Sequence, residues 1–550
     1  VKHRLLDVGA ALLSAALWAA SFHPANLPWL AWIALVPWLL RARLRPADAP
    51  RADVLAWVVA QFGLHVYALW WTTTCAPPLA FLVPLLGLPF SWLTARLLRR
   101  ARGRGVSDVV AVPGAIILVE LLRDHALQGL TWISLGYALD VWPAALALAA
   151  VGRVHLVSVV VIVANVLVAD LAVPRGRGRR RPALALAGLL VGVAVVGGAL
   201  RAGIDMTPGP RAAGLQGNIP QYAKRGSAQE QFRRHLDLLD SVDREALDLL
   251  VYAETSFPGV RDPDFPLSAL LRRAVDYDPR RRRAALFSDG VLSRPDQTTV
   301  LGVAHYRPAG PGGPPDVDGD GLNEWNTAWV VRGGEPTSVV YRKRGLAPFG
   351  EYLPIGPGAP LFEVVRDQAR AALGHVPDLT PGEGPTLFPA TSAGGERRGA
   401  LNICFEIVFP RYFREAALLG ADFVVNLSND AWFKDSAELD LVDQATRWRA
   451  VECGRAVFRV SNAGISTLFS PDGTRKAVVE TPSGRRKEVP GVLLGTIPIG
   501  SGATFYVRFG DWPWVAVGVF WAIFSLFRRR PPGTAGTKTE GDSNPSLKFG

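Results

Sequence analysis

Sulfur is nearly absent: the 550 residues include three cysteines and one methionine. Disulfide frameworks use dense, even sets of cysteine, and Cys75, Cys404 and Cys453 are neither, so a covalent staple is a poor reading of them. Each thiol is then either a buried spectator or a nucleophile. Histidine is scarce as well, and the eight present show no paired metal spacing. The one calcium-like stretch, DVDGDG at 316–321, aligns Asp316, Asp318, Asp320 and Gly321 with a calcium loop but puts Thr327 where a bidentate glutamate is needed, so a polar turn is expected there. No metal or nucleotide fingerprint is present, and no cofactor is expected. Met206 is the sole methionine and Val1 opens the chain, so the expectation is an alternative start codon or a trimmed end.

What the chain has in abundance is apolar sequence, 49% of its residues, unevenly placed. Candidate membrane spans are Leu5–Phe22, Leu27–Leu40, Val54–Trp71, Pro78–Leu97, Val109–Leu122, Val154–Val173, Ala183–Leu200 and Pro513–Phe527. Several fall short of the roughly 20 residues that cross a bilayer comfortably, and a re-entrant segment is the alternative for the second. Arginines follow every second span: Arg41, Arg43, Arg45 and Arg51; Arg99, Arg100, Arg102 and Arg104; Arg175 through Arg181; and Arg528 through Arg530. The intervening loops, such as TTTCAP at 72–77, carry almost no positive charge. That alternation predicts an even number of crossings, both termini cytoplasmic and the large domain outside. It also accounts for much of the net charge of +12, as topology signals and contacts with membrane lipids rather than nucleic-acid binding. The expected layout is residues 1–205 as membrane helices one to seven, 206–508 as the outer domain, 509–530 as the eighth helix and 531–550 as a disordered tail.

The outer domain alternates strand and helix patterns. RAAGLQGN, LDLLVYAE, TTVLGVAHY, NTAWVVRG, TSVVYRK, GALNICFE, ADFVVNLSN and AVFRVSNAG read as strands. Phe232, Leu236, Leu239 and Val242 have helical spacing, and PRYFREAALLG and the stretch around DQATRWRAVECG also read as helices. The pattern predicts a layered α/β sandwich. Three strand ends carry reactive groups: Glu254 closes LVYAE, Lys343 follows SVVY, and Cys404 closes GALNIC. Strand ends are where α/β folds place chemistry. A free thiol, with a pKa of about 8.5, needs a base or a cation to act as a nucleophile. Glu254 can take its proton, and Lys343 can donate to an oxyanion.

These residues, with LQGNIPQYAKR, YRKRGLAPFGEYLP, ICFEIVFP, NLSNDAWF, RAVECGRAVFRVSNAGIS and TFYVRFGDW, resemble the nitrilase superfamily and, within it, the membrane-bound apolipoprotein N-acyltransferase family. The resemblance implies an αββα sandwich beside about eight spans, a Glu254–Lys343–Cys404 triad, a periplasmic catalytic domain in the bacterial inner membrane, and a monomer. It implies a phospholipid acyl donor, a cysteine thioester, ping-pong transfer and a diacylglyceryl-cysteine apolipoprotein acceptor. Glu351 looks like the family's second glutamate beside the triad, with a solvated loop carboxylate as the alternative. Glu406 reads as site support or as a helix-entry charge. Phe405 stands where a tyrosine is common. Asn429 and Asp430 read as turn residues, with Asn429 a substrate-side candidate. Trp432 and Phe433 read as an acyl-chain wall or as plain packing, and Trp132 is a further substrate-side candidate, preceded by Thr131 in place of a proline. Tyr252-Ala253 replaces Trp-Pro before Glu254, and Leu441-Val442 replaces Gln-His after NDAWF; both bear on substrate preference and rate. A membrane-anchored amidohydrolase using water, and a non-catalytic scaffold, are the rival readings.

Overall fold

The computed structural model describes residues 2–45, 53–74, 77, 79–126, 133–173, 178–220, 234–235, 237–243, 246–260, 296–308, 321–333, 335–356, 358–360, 362–373 and 376–528. The helices expected around Phe232 and Leu236, Trp132, Asp316 through Asp320, Cys75 and the tail 531–550 thus lie, in whole or in part, outside the described residues.

The first part is helical: α1 (Lys2–Ala20), α2 (Val36–Leu44), α3 (Asp53–Ala68), α4 (Leu79–Gly103), α5 (Asp108–Ala126), α6 (Pro143–Ala147), α7 (Ala149–Ala172) and α8 (Arg180–Ala202). Among the described residues, α4, α7 and α8 are long and apolar enough to cross a membrane, and Asp53–Ala68 and Trp512–Ser525 are shorter apolar helices. The segment expected as the second span is instead a 3-10 turn, Pro28–Ile33, followed by the nine-residue α2. Pro28 and Pro37 each sit in the first turn of their element, where a missing N–H costs little but the preceding helix cannot continue. Asn165 of α7 takes up the backbone groups this break leaves open. Its Nδ2 donates to the Ala31 carbonyl at 2.9 Å and its Oδ1 accepts from the Leu35 N–H at 2.8 Å. In α7 the backbone leaves helical geometry at Gly152 and Arg153, so the regular helix runs from Val154, the expected start of that span. The outward face of α8 is apolar and exposed at Leu184, Leu190, Val191, Val195 and Val196, as for a helix solvated by lipid.

Two sheets follow. The first holds β1 (Met206–Gln216), β2 (Leu249–Tyr252), β3 (Phe257–Val260), β4 (Thr298–Pro308), β5 (Leu322–Arg332), β6 (Glu335–Arg342) and the late β13 (Gly491–Gly500), in the order β13-β1-β2-β4-β5-β6 with β3 on β4. The second holds β7 (Leu387–Ala390), β8 (Arg397–Ile403), β9 (Phe423–Ser428), β10 (Ala456–Ser461), β11 (Thr467–Phe469) and β12 (Arg475–Val478), in the order β12-β11-β10-β9-β8-β7. Helices α9 (Phe362–Leu373), α10 (Pro410–Leu418), α11 (Ala437–Cys453), α12 (Phe505–Phe509) and α13 (Trp512–Phe527) complete the described elements.

Period-two side-chain alternation builds the layers. Leu249 and Val251 of β2, Leu401 and Ile403 of β8, Val425 and Leu427 of β9, and Phe458 and Val460 of β10 share one core between the sheets. The opposite face of β2, Leu250 and Tyr252, packs under Leu239 and Val242. The opposite face of the second sheet, Ala400, Val424 and Val457, packs under Phe413 and Ala417 of α10 and Ala450 of α11. The parallel trio β8-β9-β10 points its carboxyl ends one way, which collects three strand-end loops at one rim.

Candidate active site

Glu254 lies two residues beyond β2, in a turn where Thr255 has φ +47°. Gly302 of β4 makes room for that turn: a Cβ there would come within 2.3 Å of the Ala253 carbonyl and 2.8 Å of the Glu254 Cα. Lys343 directly follows β6, and Cys404 directly follows β8, opening a 3-10 helix over Cys404–Val408. Cys404 adopts φ +49°, a left-handed conformation that side chains rarely take and that turns its side chain off the line of the strand.

The expected groups converge. Lys343 Nζ stands 2.6 Å from Glu351 Oε1 and 3.8 Å from Glu254 Oε1, with its side chain 1% exposed. Asn326 of β5 donates to Glu254 Oε1 and, at 3.4 Å, to Glu351 Oε1, so one amide bridges the two carboxylates. Glu351 is therefore no solvated loop charge; it also accepts from the Ala347 N–H at 2.8 Å. Burial opposes the charge on Lys343, yet the carboxylates of Glu351 and Glu254 hold its pKa above the ordinary lysine value, so it stays an ammonium. Burial, then Glu254, push the Cys404 thiol up, while Lys343 pulls it down; at rest the sulfur carries its proton.

Glu406 acts at one remove. Fully buried, it accepts from Tyr341 Oη at 2.7 and 2.8 Å and from the N–H groups of Ile403, Arg344 and Gly345 at 2.7 to 2.9 Å. It thereby pins the loop after Lys343 to the residue before Cys404, whatever its place at a helix entry. Burial raises its pKa against those hydrogen bonds. Phe405 stacks edge-on with Phe409, ring centroids 5.2 Å apart, on the outer face of the second sheet. Trp432 is half-buried in a short 3-10 turn, and Phe433 meets Trp71 of the helical domain edge-on at 5.2 Å.

Asn429 and Asp430 are more than turn residues. Both are buried: Asn429 accepts from Asn462 Nδ2 at 2.9 Å, and Asp430 pairs with Arg459 at 2.6 Å while accepting from Ser428 and Ser461. Arg459 also donates to Asn426 Oδ1, whose amide nitrogen in turn donates to Asn402 at 2.8 Å and to the Cys404 carbonyl at 3.4 Å. Sequence reading passed over this row. Its signal was there: Asn402, Asn426 and Arg459 each interrupt an apolar strand, and an arginine inside AVFRVS needs a buried carboxylate. Arg449 of α11 was missed too. It pairs with Glu452 at 2.8 Å and donates to the Val408 carbonyl and to Tyr137 Oη of the helical domain, both at 3.0 Å, so the short 3-10 helix that opens at Cys404 is tied to the helical domain. Among the described residues no group of three His, Cys, Asp or Glu side chains is placed to hold a metal ion.

Comparison with known proteins decides the family. Residues 14–167 match the Apolipoprotein N-acyltransferase N-terminal domain, and residues 211–498 match Carbon-nitrogen hydrolase. A protein of Azotobacter vinelandii named Apolipoprotein N-acyltransferase is 31% identical over 94% of this chain and 95% of its own. The chain belongs to the apolipoprotein N-acyltransferase family. A relative of the same name from Geobacter metallireducens is 28% identical over 95% of this chain and 96% of its own. Among solved structures, an amidase from Nesterenkonia sp. is 19% identical over 56% of this chain and 95% of its own, with a TM-score of 0.33, too low to argue from.

Proposed function

We propose that this chain moves an acyl group from a phospholipid, through a thioester on Cys404, to the amino group of a diacylglyceryl-cysteine apolipoprotein. The observation that carries this reading is the ammonium of Lys343 set between Glu254 and Glu351 at strand ends beside a strained cysteine. Cys404 Sγ attacks the ester carbonyl carbon while Glu254 takes the thiol proton. Lys343, with the N–H of Phe405, donates to the oxyanion as charge develops on it. Collapse breaks the ester C–O bond, and the lysophospholipid alkoxide leaves with the proton from Glu254. The acceptor amine then attacks the thioester, Glu254 takes its proton, and the sulfur leaves and is reprotonated. Donor product departs before acceptor enters, so the kinetics are ping-pong. Glu351 holds Lys343 in position, and Glu406 holds the two loops together.

The same reading assigns residues 1–205 and 509–530 to a bacterial inner membrane, 206–508 to the periplasmic side and both termini to the cytoplasm. Both substrates are lipids held in one leaflet, which explains why a catalytic sandwich is joined to membrane helices. A phosphatase joined near Gly312 should be active and one joined near Gly541 inactive; the reverse would overturn the orientation. The activity itself is tested by acylation of a diacylglyceryl-cysteine peptide, followed beside release of free fatty acid. Peptide acylation is expected. Mainly free fatty acid at saturating peptide would favour a hydrolase, and no acyl-enzyme with any lipid would favour a scaffold.

A further inference from the structure

Two adjoining cavities open at the end of the helical domain away from the sheets. One, of about 380 Å³, is lined by Arg43, Arg102 and the turn 105–108 at the start of α5. The other, of about 290 Å³, is lined by Arg41, Arg45, Arg99 and Arg102, with Trp38 and Leu98. Arg102 lines both. Position along α7 fixes the depth: Asp170, paired with Arg43 at 3.1 Å, is 17 residues past Arg153, the residue paired with Asp511 at 2.8 Å beside the catalytic domain. At 1.5 Å per residue that is about 25 Å, close to one hydrocarbon thickness of about 30 Å.

Among the described residues, guanidinium groups outnumber carboxylates in this cluster. Asp7 serves both Arg41, at 2.8 Å, and Arg45, at 3.2 Å; Asp108 serves both Arg102, at 2.7 Å, and Arg43, at 3.5 Å. With Asp53 and Asp170 added, five guanidinium groups face four carboxylates among the described residues, and Arg99 is exposed at the cavity mouth. Arg102 Nη2 is buried and makes no hydrogen bond among the described residues. A cluster rich in guanidinium groups, an Arg102 N–H that makes no hydrogen bond among the described residues and a wall of Trp38 and Leu98 suit a phosphodiester that carries hydrocarbon.

We propose that these cavities hold the phosphate of an anionic phospholipid from the leaflet opposite the catalytic domain, independently of the acyltransfer reading. The site would anchor α2, α4 and α5 to lipid without touching the chemistry.

The test is native mass spectrometry of the full-length protein released from micelles doped with phosphatidylglycerol, with phosphatidylcholine, or with excess inorganic phosphate alone. One phosphatidylglycerol adduct should survive on the wild type, and phosphate alone should neither bind nor displace it. Arg99→Gln, at an exposed position, should weaken phosphatidylglycerol binding about fivefold, and Arg99→Gln with Arg102→Gln more than that. Circular dichroism and retained peptide acylation would show that the variants fold. Equal retention of phosphatidylglycerol by the folded variants, equal retention of phosphatidylcholine by the wild type, or displacement of the lipid by inorganic phosphate would each overturn the proposal.

Discussion

Cys404 and Cys453 lie about fifty residues apart on the same catalytic domain, and both thiols are held above the ordinary cysteine pKa by burial. Cys453, pushed up to about 12 by burial and then by Glu452, ends the regular helix α11, is fully buried, and packs among Phe413, Val457 and Tyr506. Cys404 stands at a strand-to-helix turn with φ +49°, half-buried, close enough to Glu254 and Lys343 for both charges to act on its thiol. Acidity does not separate the two thiols. Geometry does: Cys404 sits part-exposed at a strained strand-end turn where Glu254 and Lys343 act on it, whereas Cys453 is fully buried in a regular helix and its charged neighbour Glu452 is tied up with Arg449 at 2.8 Å. A raised thiol pKa is compatible with catalysis when the base is supplied in place and the proton moves during attack.

The comparison can be broken by taking the partners away from Cys404. Glu254→Gln and Lys343→Ala should each slow formation of the acyl-enzyme by roughly 10²–10³, the usual effect of losing one preorganised group. Their Cys404 should then react with iodoacetamide nearly as slowly as Cys453. A folded Lys343→Ala variant with full transfer rate would remove Lys343 from the mechanism.

A smaller change should sharpen the contrast. Arg459→Lys keeps a positive charge beside Asp430 but loses the planar fork that also reaches Asn426, so the support under the Cys404 carbonyl weakens. Alkylation of Cys404 should slow about tenfold, the equivalent of one charge-assisted hydrogen bond, while Cys453 stays protected. Equal slowing at both cysteines would mean a general loosening of the domain instead.

How far the sequence announced all this differs by region. In the sandwich, the apolar runs of LDLLVYAE, GALNICFE and ADFVVNLSN located β2, β8 and β9, because a strand buried on both faces reads as a nearly continuous apolar run that still ends in a polar loop. The triad candidates were legible for that reason. Glu351 was legible only as a resemblance, since nothing local predicts that it meets Lys343 across eight residues. The Asn402–Asn426–Arg459 row was hidden because hydrogen bonding between neighbouring strands depends on register, which periodicity does not set. In the helical region, arginine alternation marked the loops, but hydropathy could not foresee that Pro28 and Pro37 would split one apolar stretch, or that Asn165, 130 residues beyond Leu35, would satisfy the break.

The central claim, that Cys404 carries the acyl group, is tested most directly by the intact mass of the full-length protein after incubation with phospholipid. One hydroxylamine-sensitive acyl mass should appear on the wild type and on Cys453→Ala, and none on Cys404→Ala. An acyl mass that persists in Cys404→Ala, or that disappears only in Cys453→Ala, would contradict the account.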